Sequence, residues 1–310
     1  MLGTPSGSSS VAVVPELKKV PANGIEIAYE TFGDAGAPPL LMVMGLGTQM
    51  LAWPDELCED LAQRGHYVVR FDNRDAGAST HFDGVRAPHA AKVATKRARP
   101  PYTIDDMADD AAGLVEALEL GPVHVVGASL GGFISQTLAI RRPDLVRSLT
   151  LIMTSTGSRR VGQANPKLIG RLLKGRVVSS REEAMEAVVE TFSIIGSKGF
   201  ALDEERLREV GARSYDRGHD PAGYRRQLAA VVAQPNRSDQ LRTLRVPTLV
   251  MHGLNDPLVN ASGGMALARR LRGSRFIGFQ GMGHDLPREL WPEFADHIAA
   301  LVLRAEGVRV

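Results

Sequence analysis

The sequence predicts an α/β protein: a mostly parallel central sheet flanked by helices, with an inserted helical block. Three observations carry this reading. Short apolar runs alternate with helix-like stretches along most of the 310 residues. From about residue 156 to 242 those runs stop and amphipathic helical sequence takes over. The strand rhythm then returns at residues 248–252. Parallel strands covered on both faces read as continuous apolar runs, which is the texture seen here.

Taken in order, residues 24–32 (GIEIAYETF) and 40–44 (LLMVM) read as strands, the second apolar throughout and therefore central. Helical sequence at 55–64 leads into another buried strand at 67–71 (YVVRF). Residues 81–101 hold several prolines and the basic run Lys96-Arg97-Ala98-Arg99, which reads as a solvated surface loop. Thr103 caps a helix whose Met107, Ala111, Leu114 and Leu118 form one core-facing stripe. Asp105 and Asp106 suit its positive N-terminal end, and Gly121 with Pro122 stops it. A strand at 123–126, a helix at 130–142 broken by Pro143, and a strand at 149–153 (LTLIM) follow. In the helical block Met185, Val188, Val189 and Phe192 share a face. Strands at 248–252 (TLVMH) and 276–279 and a helix at about 291–304 close the pattern. The expected organisation is a flexible tail at 1–20, a core built from 21–155 and 243–310, and a helical cap or lid at 156–242.

Composition narrows the function classes. A chain of this length with 44% hydrophobic residues buries a large core. Lysine plus arginine total 37 against 35 acidic residues, a formal charge of +2. That balance argues against nucleic acid or an anionic membrane surface as the main partner. The single cysteine, Cys58, forbids an internal disulfide and reads as a buried, inert thiol in a reducing compartment. No apolar run reaches the roughly 18 residues of a membrane span. The Gly-, Ser- and Pro-rich start lacks the basic and apolar regions of a secretory signal. These features predict a cytoplasmic protein without stable membrane insertion, and they leave room for a homodimer.

The chemistry concentrates where strands end. Gly127-Ala128-Ser129-Leu130-Gly131 places G-x-S-x-G directly after a buried strand and before a helix. A serine on so sharp a turn adopts strained backbone, and glycines two positions either side avoid collision. Ser129 is therefore the candidate nucleophile, with Gly127 and Gly131 as the elbow glycines. Its base should come from a loop late in the chain, and His284 in Gly281-Met282-Gly283-His284-Asp285 meets the chain order of nucleophile, acid, then histidine. His66, His124, His219, His252 and His297 read as structural or solvent histidines. The acid should lie on a turn after a strand, as Asp256 does in Asn255-Asp256-Pro257, with Asp285 the runner-up. An oxyanion needs two N–H donors. The backbone of Leu130 follows the nucleophile, and Leu46 lies in the tight Gly45-Leu46-Gly47 loop after the second strand. This set works without metal or cofactor.

On these segments the chain resembles the α/β-hydrolase superfamily from about Gly24 to Leu303. Asp72-Asn73-Arg74-Asp75-Ala76-Gly77-Ala78-Ser79 is similar to the family's D-x-R-G-x-G-x-S turn, with Asp75 in place of glycine. At the oxyanion loop Met44-Gly45 stands where members often have His-Gly. The stretches from Val43 to Glu56 and from Met282 to Pro287 resemble the branch that contains aclacinomycin methylesterase. The resemblance implies an α/β-hydrolase fold with carboxylesterase activity on a small-molecule ester, small to medium and apolar. A lactonase, a C–C bond hydrolase or a perhydrolase would share the triad, and a non-catalytic ligand receptor can keep the fold.

Overall fold

The structure is a computed structural model that describes residues 15–174 and 177–308. Its centre is an eight-stranded sheet. In chain order the strands are β1 (Lys18–Ala22), β2 (Ile25–Phe32), β3 (Pro39–Val43), β4 (Tyr67–Phe71), β5 (Val123–Ala128), β6 (Val146–Ile152), β7 (Thr248–Gly253) and β8 (Arg275–Phe279). Across the sheet they run β1-β2-β4-β3-β5-β6-β7-β8. The β1–β2 and β2–β4 pairings are antiparallel and all others parallel. The mostly parallel sheet expected from the apolar runs is present.

The helices are α1 (Asp55–Gln63), α2 (Ala90–Ala94), α3 (Ile104–Ala117), α4 (Leu130–Arg141), α5 (Pro166–Lys174), α6 (Arg181–Ile195), α7 (Glu204–Asp216), α8 (Pro221–Ala233), α9 (Ser238–Leu241), α10 (Ser262–Arg270) and α11 (Trp291–Ala305). Side-chain alternation sorts each central strand between two cores. Leu41 and Val43 of β3 join the cluster under α3 and α4, whereas Leu40 and Met42 join the one under α1 and α11. Thr103 caps α3 through a reciprocal pair with Asp106, so the helix starts where the sequence places it.

Three expectations change. Residues 1–14 of the expected tail lie outside the described residues, but Lys18, Lys19 and Val20 belong to β1, which pairs along β2 from Lys18↔Tyr29 to Ala22↔Ile25. An edge strand needs little apolar sequence, since only one side of it is paired. The Pro-rich loop carries the short helix α2, and Ser262–Arg270 forms α10, both of which periodicity missed. Among the described residues, helices α5 to α9 lie between β6 and β7.

The strand order reverses beside β3: β4 follows it on one side and β5 on the other. Ligands of open α/β sheets bind outside the carboxyl ends of the strands at such a switch point. Gly45 follows β3 and Ser129 follows β5, so both stand at this crevice.

Candidate active site

Ser129 occupies the junction of β5 and α4 with φ 54° and ψ −115°. Such a conformation costs a non-glycine residue about 1–3 kcal/mol. It is held by the Ser129 N–H donating to Ile152 O at 2.9 Å and by Gly132 N–H donating to Ser129 O at 3.0 Å. The flanking glycines are required by space. A Cβ on Gly127 would collide with Ser135 Oγ and the Gly131 carbonyl, and one on Gly131 with the Val43 carbonyl. The turn can be this tight only because both positions lack a side chain.

His284 and Asp256 converge on this serine from two other strand ends. Asp256 follows β7, and its Oδ1 accepts the N–H groups of Leu258 and Val259, both at 2.8 Å. Its Oδ2 lies 2.7 Å from His284 Nδ1. His284 Nε2 lies 3.0 Å from Ser129 Oγ. A carboxylate only accepts, so Nδ1 carries the proton and Nε2 presents its lone pair to the serine hydroxyl. Ser129 is half-buried, while Asp256 and His284 are buried. The three residues separated by up to 155 positions in sequence form one hydrogen-bonded chain.

The runner-up acid goes elsewhere. Asp285 Oδ1 accepts from Ser197 N–H at 3.0 Å and from Ser197 Oγ at 2.5 Å, away from the imidazole Nδ1. Burial raises the Asp285 pKa, against the lowering effect of Ser197. Ser197 Oγ also accepts Gly283 N–H at 2.9 Å, and Ile195 O accepts His284 N–H at 2.8 Å. The end of α6 thus grips the histidine loop, a tie that nothing in the local sequence signals.

The Gly45-Leu46-Gly47 loop lies against the serine: a Cβ on Gly45 would be 3.4 Å from Ser129 Cβ. Asn73 Nδ2 donates to Met44 O at 3.0 Å, and Thr48 Oγ1 to Gly45 O at 3.0 Å. Gly47 N–H is spent on Gln227 Oε1 at 2.8 Å. Leu46 stands between Gly45 and Gly47 in this loop, and Leu130 N–H opens α4 at its positive end. Met44 packs into the core under α1, and its carbonyl accepts from Asn73 Nδ2.

A cavity of about 700 Å³ opens beside the loop, lined by Leu46, Gln49, Val188, Phe192, Tyr215 and Tyr224 among others. Ser129 and His284 do not line it, but it reaches Leu46 and Ile195, which adjoin them. Val188 and Phe192 of the α6 stripe therefore face a cavity, while Val189 is buried.

The remaining sequence candidates are structural. Cys58 is fully buried, its thiol is pushed up to about 12 by burial, and Sγ lies 3.8 Å from Met42 Sδ. His252 is buried with Nε2 on Val259 O at 2.7 Å, and burial lowers its pKa. Lys96, Arg97 and Arg99 are exposed. Asp75, His81 and Asp220 bring ligand atoms within 4.8 Å of one another. The Arg226 guanidinium already engages both Asp75 oxygens and Asp220 Oδ2, at 2.7 to 2.8 Å. That cluster is a charge-compensated ion pair rather than an open cage of lone pairs.

The model of the alpha/beta hydrolase fold matches residues 38–287, most of the chain. The chain belongs to the α/β-hydrolase fold family. Among its relatives, rhodomycin D methylesterase of Streptomyces sp. (strain C5) is 30% identical over 87% of this chain and 93% of its own length. The 3-oxoadipate enol-lactonase 2 of Acinetobacter baylyi is 24% identical over 81% of this chain and 83% of its own. Among solved structures, a thermophilic esterase from Thermogutta terrifontis superimposes with a TM-score of 0.70, covering 94% of this chain and 99% of that one at 22% identity. That last likeness speaks for the fold alone. Among the described residues no helix is long and apolar enough to cross a membrane.

Proposed function

We propose that this α/β-hydrolase is a serine carboxylesterase in which Ser129 is the nucleophile, His284 the general base and Asp256 its orienting acid. The observation that carries the reading is the chain from Ser129 Oγ to His284 Nε2 to Asp256 Oδ2, at 3.0 Å and 2.7 Å. In the first half-reaction Ser129 Oγ bonds to the ester carbonyl carbon while its proton passes to His284 Nε2. The N–H groups of Leu46 and Leu130 hold the oxygen that becomes negative. Collapse breaks the bond to the alcohol, which leaves with the proton from His284. Water then gives a proton to the same nitrogen as its oxygen bonds to the acyl carbon, and collapse breaks the bond to Ser129 Oγ, which takes that proton back from His284 as the acid leaves.

The helical segment at 156–242 acts as the cap over this site. The cavity of about 700 Å³ beneath it supports a substrate with one bulky, largely apolar part. The methylesterase relative at 30% identity supports a small alcohol on the other side of the ester. The substrate class is therefore a small-alcohol ester of a bulky acid. Labelling with a fluorophosphonate tests the nucleophile: one adduct mapped to Ser129 by peptide mass supports it, and an adduct elsewhere refutes it.

A further inference from the structure

We infer that Gln227 is a positioning residue for the oxyanion loop, acting from the cap. The inference rests on the serine-hydrolase reading above and adds a residue to it. Gln227 lies on α8 and is fully buried. Its carboxamide reaches two loops of the core: Oε1 accepts Gly47 N–H at 2.8 Å, and Nε2 donates to Arg74 O at 2.7 Å. Those partners fix the orientation of the amide, since Gly47 N–H can only donate and Arg74 O only accept. One turn earlier on the helix, the Tyr224 ring closes on Gly47, where a Cβ would run into it. Gly47 has φ 66°, so this clamp holds a left-handed residue next to Leu46.

The consequence is directional. Gly47 N–H would otherwise compete to face the crevice, and Gln227 turns it toward the cap. Leu46 N–H is left as the donor on the Ser129 side. The helix itself is anchored nearby, with Gly223 packed against the Asp75 main chain and Arg226 paired to the Asp75 carboxylate at 2.7 Å. A cap displaced from the core therefore loosens the oxyanion loop as well as opening the cavity.

Two variants separate positioning from bulk stability. Gln227→Met removes both hydrogen bonds at similar volume. Gln227→Glu keeps the acceptor for Gly47 N–H, and its carboxyl can donate to Arg74 O only when protonated. Using ester hydrolysis by the full chain, Gln227→Met is expected to lower kcat at least about tenfold with KM changed less than about threefold, as for a weakened oxyanion donor. The ratio of Gln227→Glu to native kcat should rise as pH falls, because the neutral carboxyl restores both contacts. Thermal melts report the folded fraction throughout. Losses that merely follow the folded fraction, or a Glu-to-native ratio flat with pH, overturn the inference. Ser129→Ala is measured alongside: if it stays active the serine reading falls, and if it is dead while both Gln227 variants are fully active only this inference falls.

Discussion

His284 donates its main-chain N–H to the carbonyl oxygen of Ile195 at 2.8 Å, so the His284 loop hangs from the last residue of α6. The same junction holds Ser197 against Asp285 and Gly283. Ser197→Ala removes the hydroxyl between them and leaves Gly283 N–H without its acceptor. A buried donor stripped of its partner costs about 1–3 kcal/mol. The expected result is a loss of that size in urea unfolding, together with a lower kcat, because the imidazole is no longer held in register. Unchanged kcat in a folded variant would show that Ile195 alone positions the loop.

Asp75 stands at φ 64°, and its carboxylate is gripped by Arg226, Tyr102 and the Phe82 N–H. Removing Arg226 strands a buried charge, which typically costs about 3–5 kcal/mol. Arg226→Met should destabilise by about that amount, and Asp75→Gly in the same chain should recover part of it. Glycine suits the left-handed backbone and removes the orphan carboxylate. Chemical denaturation of the four chains of this double-mutant cycle measures the coupling, and strict additivity would contradict an Asp75–Arg226 interaction.

Asp256→Asn keeps an oxygen for Leu258 and Val259 N–H but no longer fixes the proton on His284 Nδ1. A wrong tautomer at this position in a serine triad lowers kcat by about 10⁴. The melting temperature should change little by comparison. A drop below about tenfold would mean that Asp256 is not the orienting acid.

Four histidines make the fold acid-sensitive. Burial lowers the pKa of His66, His219 and His252, and that of His124 to about 4. The native state keeps them neutral while the unfolded chain, near 6.5, takes up protons. Stability should therefore fall as pH drops from 6.5 toward 4, since the unfolded state binds more protons in that window. His81 runs the other way: burial opposes it, but Gly77 O and Asp220 raise its pKa, so its contribution is lost on the alkaline side. Melting temperatures at pH 6.5 and 4.5 test this, and His124→Gln should shrink the difference. A melting temperature independent of pH in the native chain would contradict it.

Much of this was readable from residues alone, for local reasons. Tyr67–Phe71 is apolar enough to be found to the residue, and Leu130–Arg141 to within one. Ser129, Asp256 and His284 each carry a turn signature just after a strand, so parallel topology brings them to one edge. The polar ties made by the 156–242 segment left no such mark. Gln227 meets Gly47 across 180 positions and Ser197 meets Asp285 across 88, and neither belongs to a motif. Lys18–Ala22 escaped because two lysines and a proline disguise an edge strand.

Ester hydrolysis through Ser129 underlies every proposal made for this site. It is tested with methyl and p-nitrophenyl esters of acids of graded size, offered to the native chain and to Ser129→Ala. Turnover should favour the bulkier acids and fall by more than about a thousandfold in the variant. Equal rates in the two proteins, or no ester turnover in either, would contradict it.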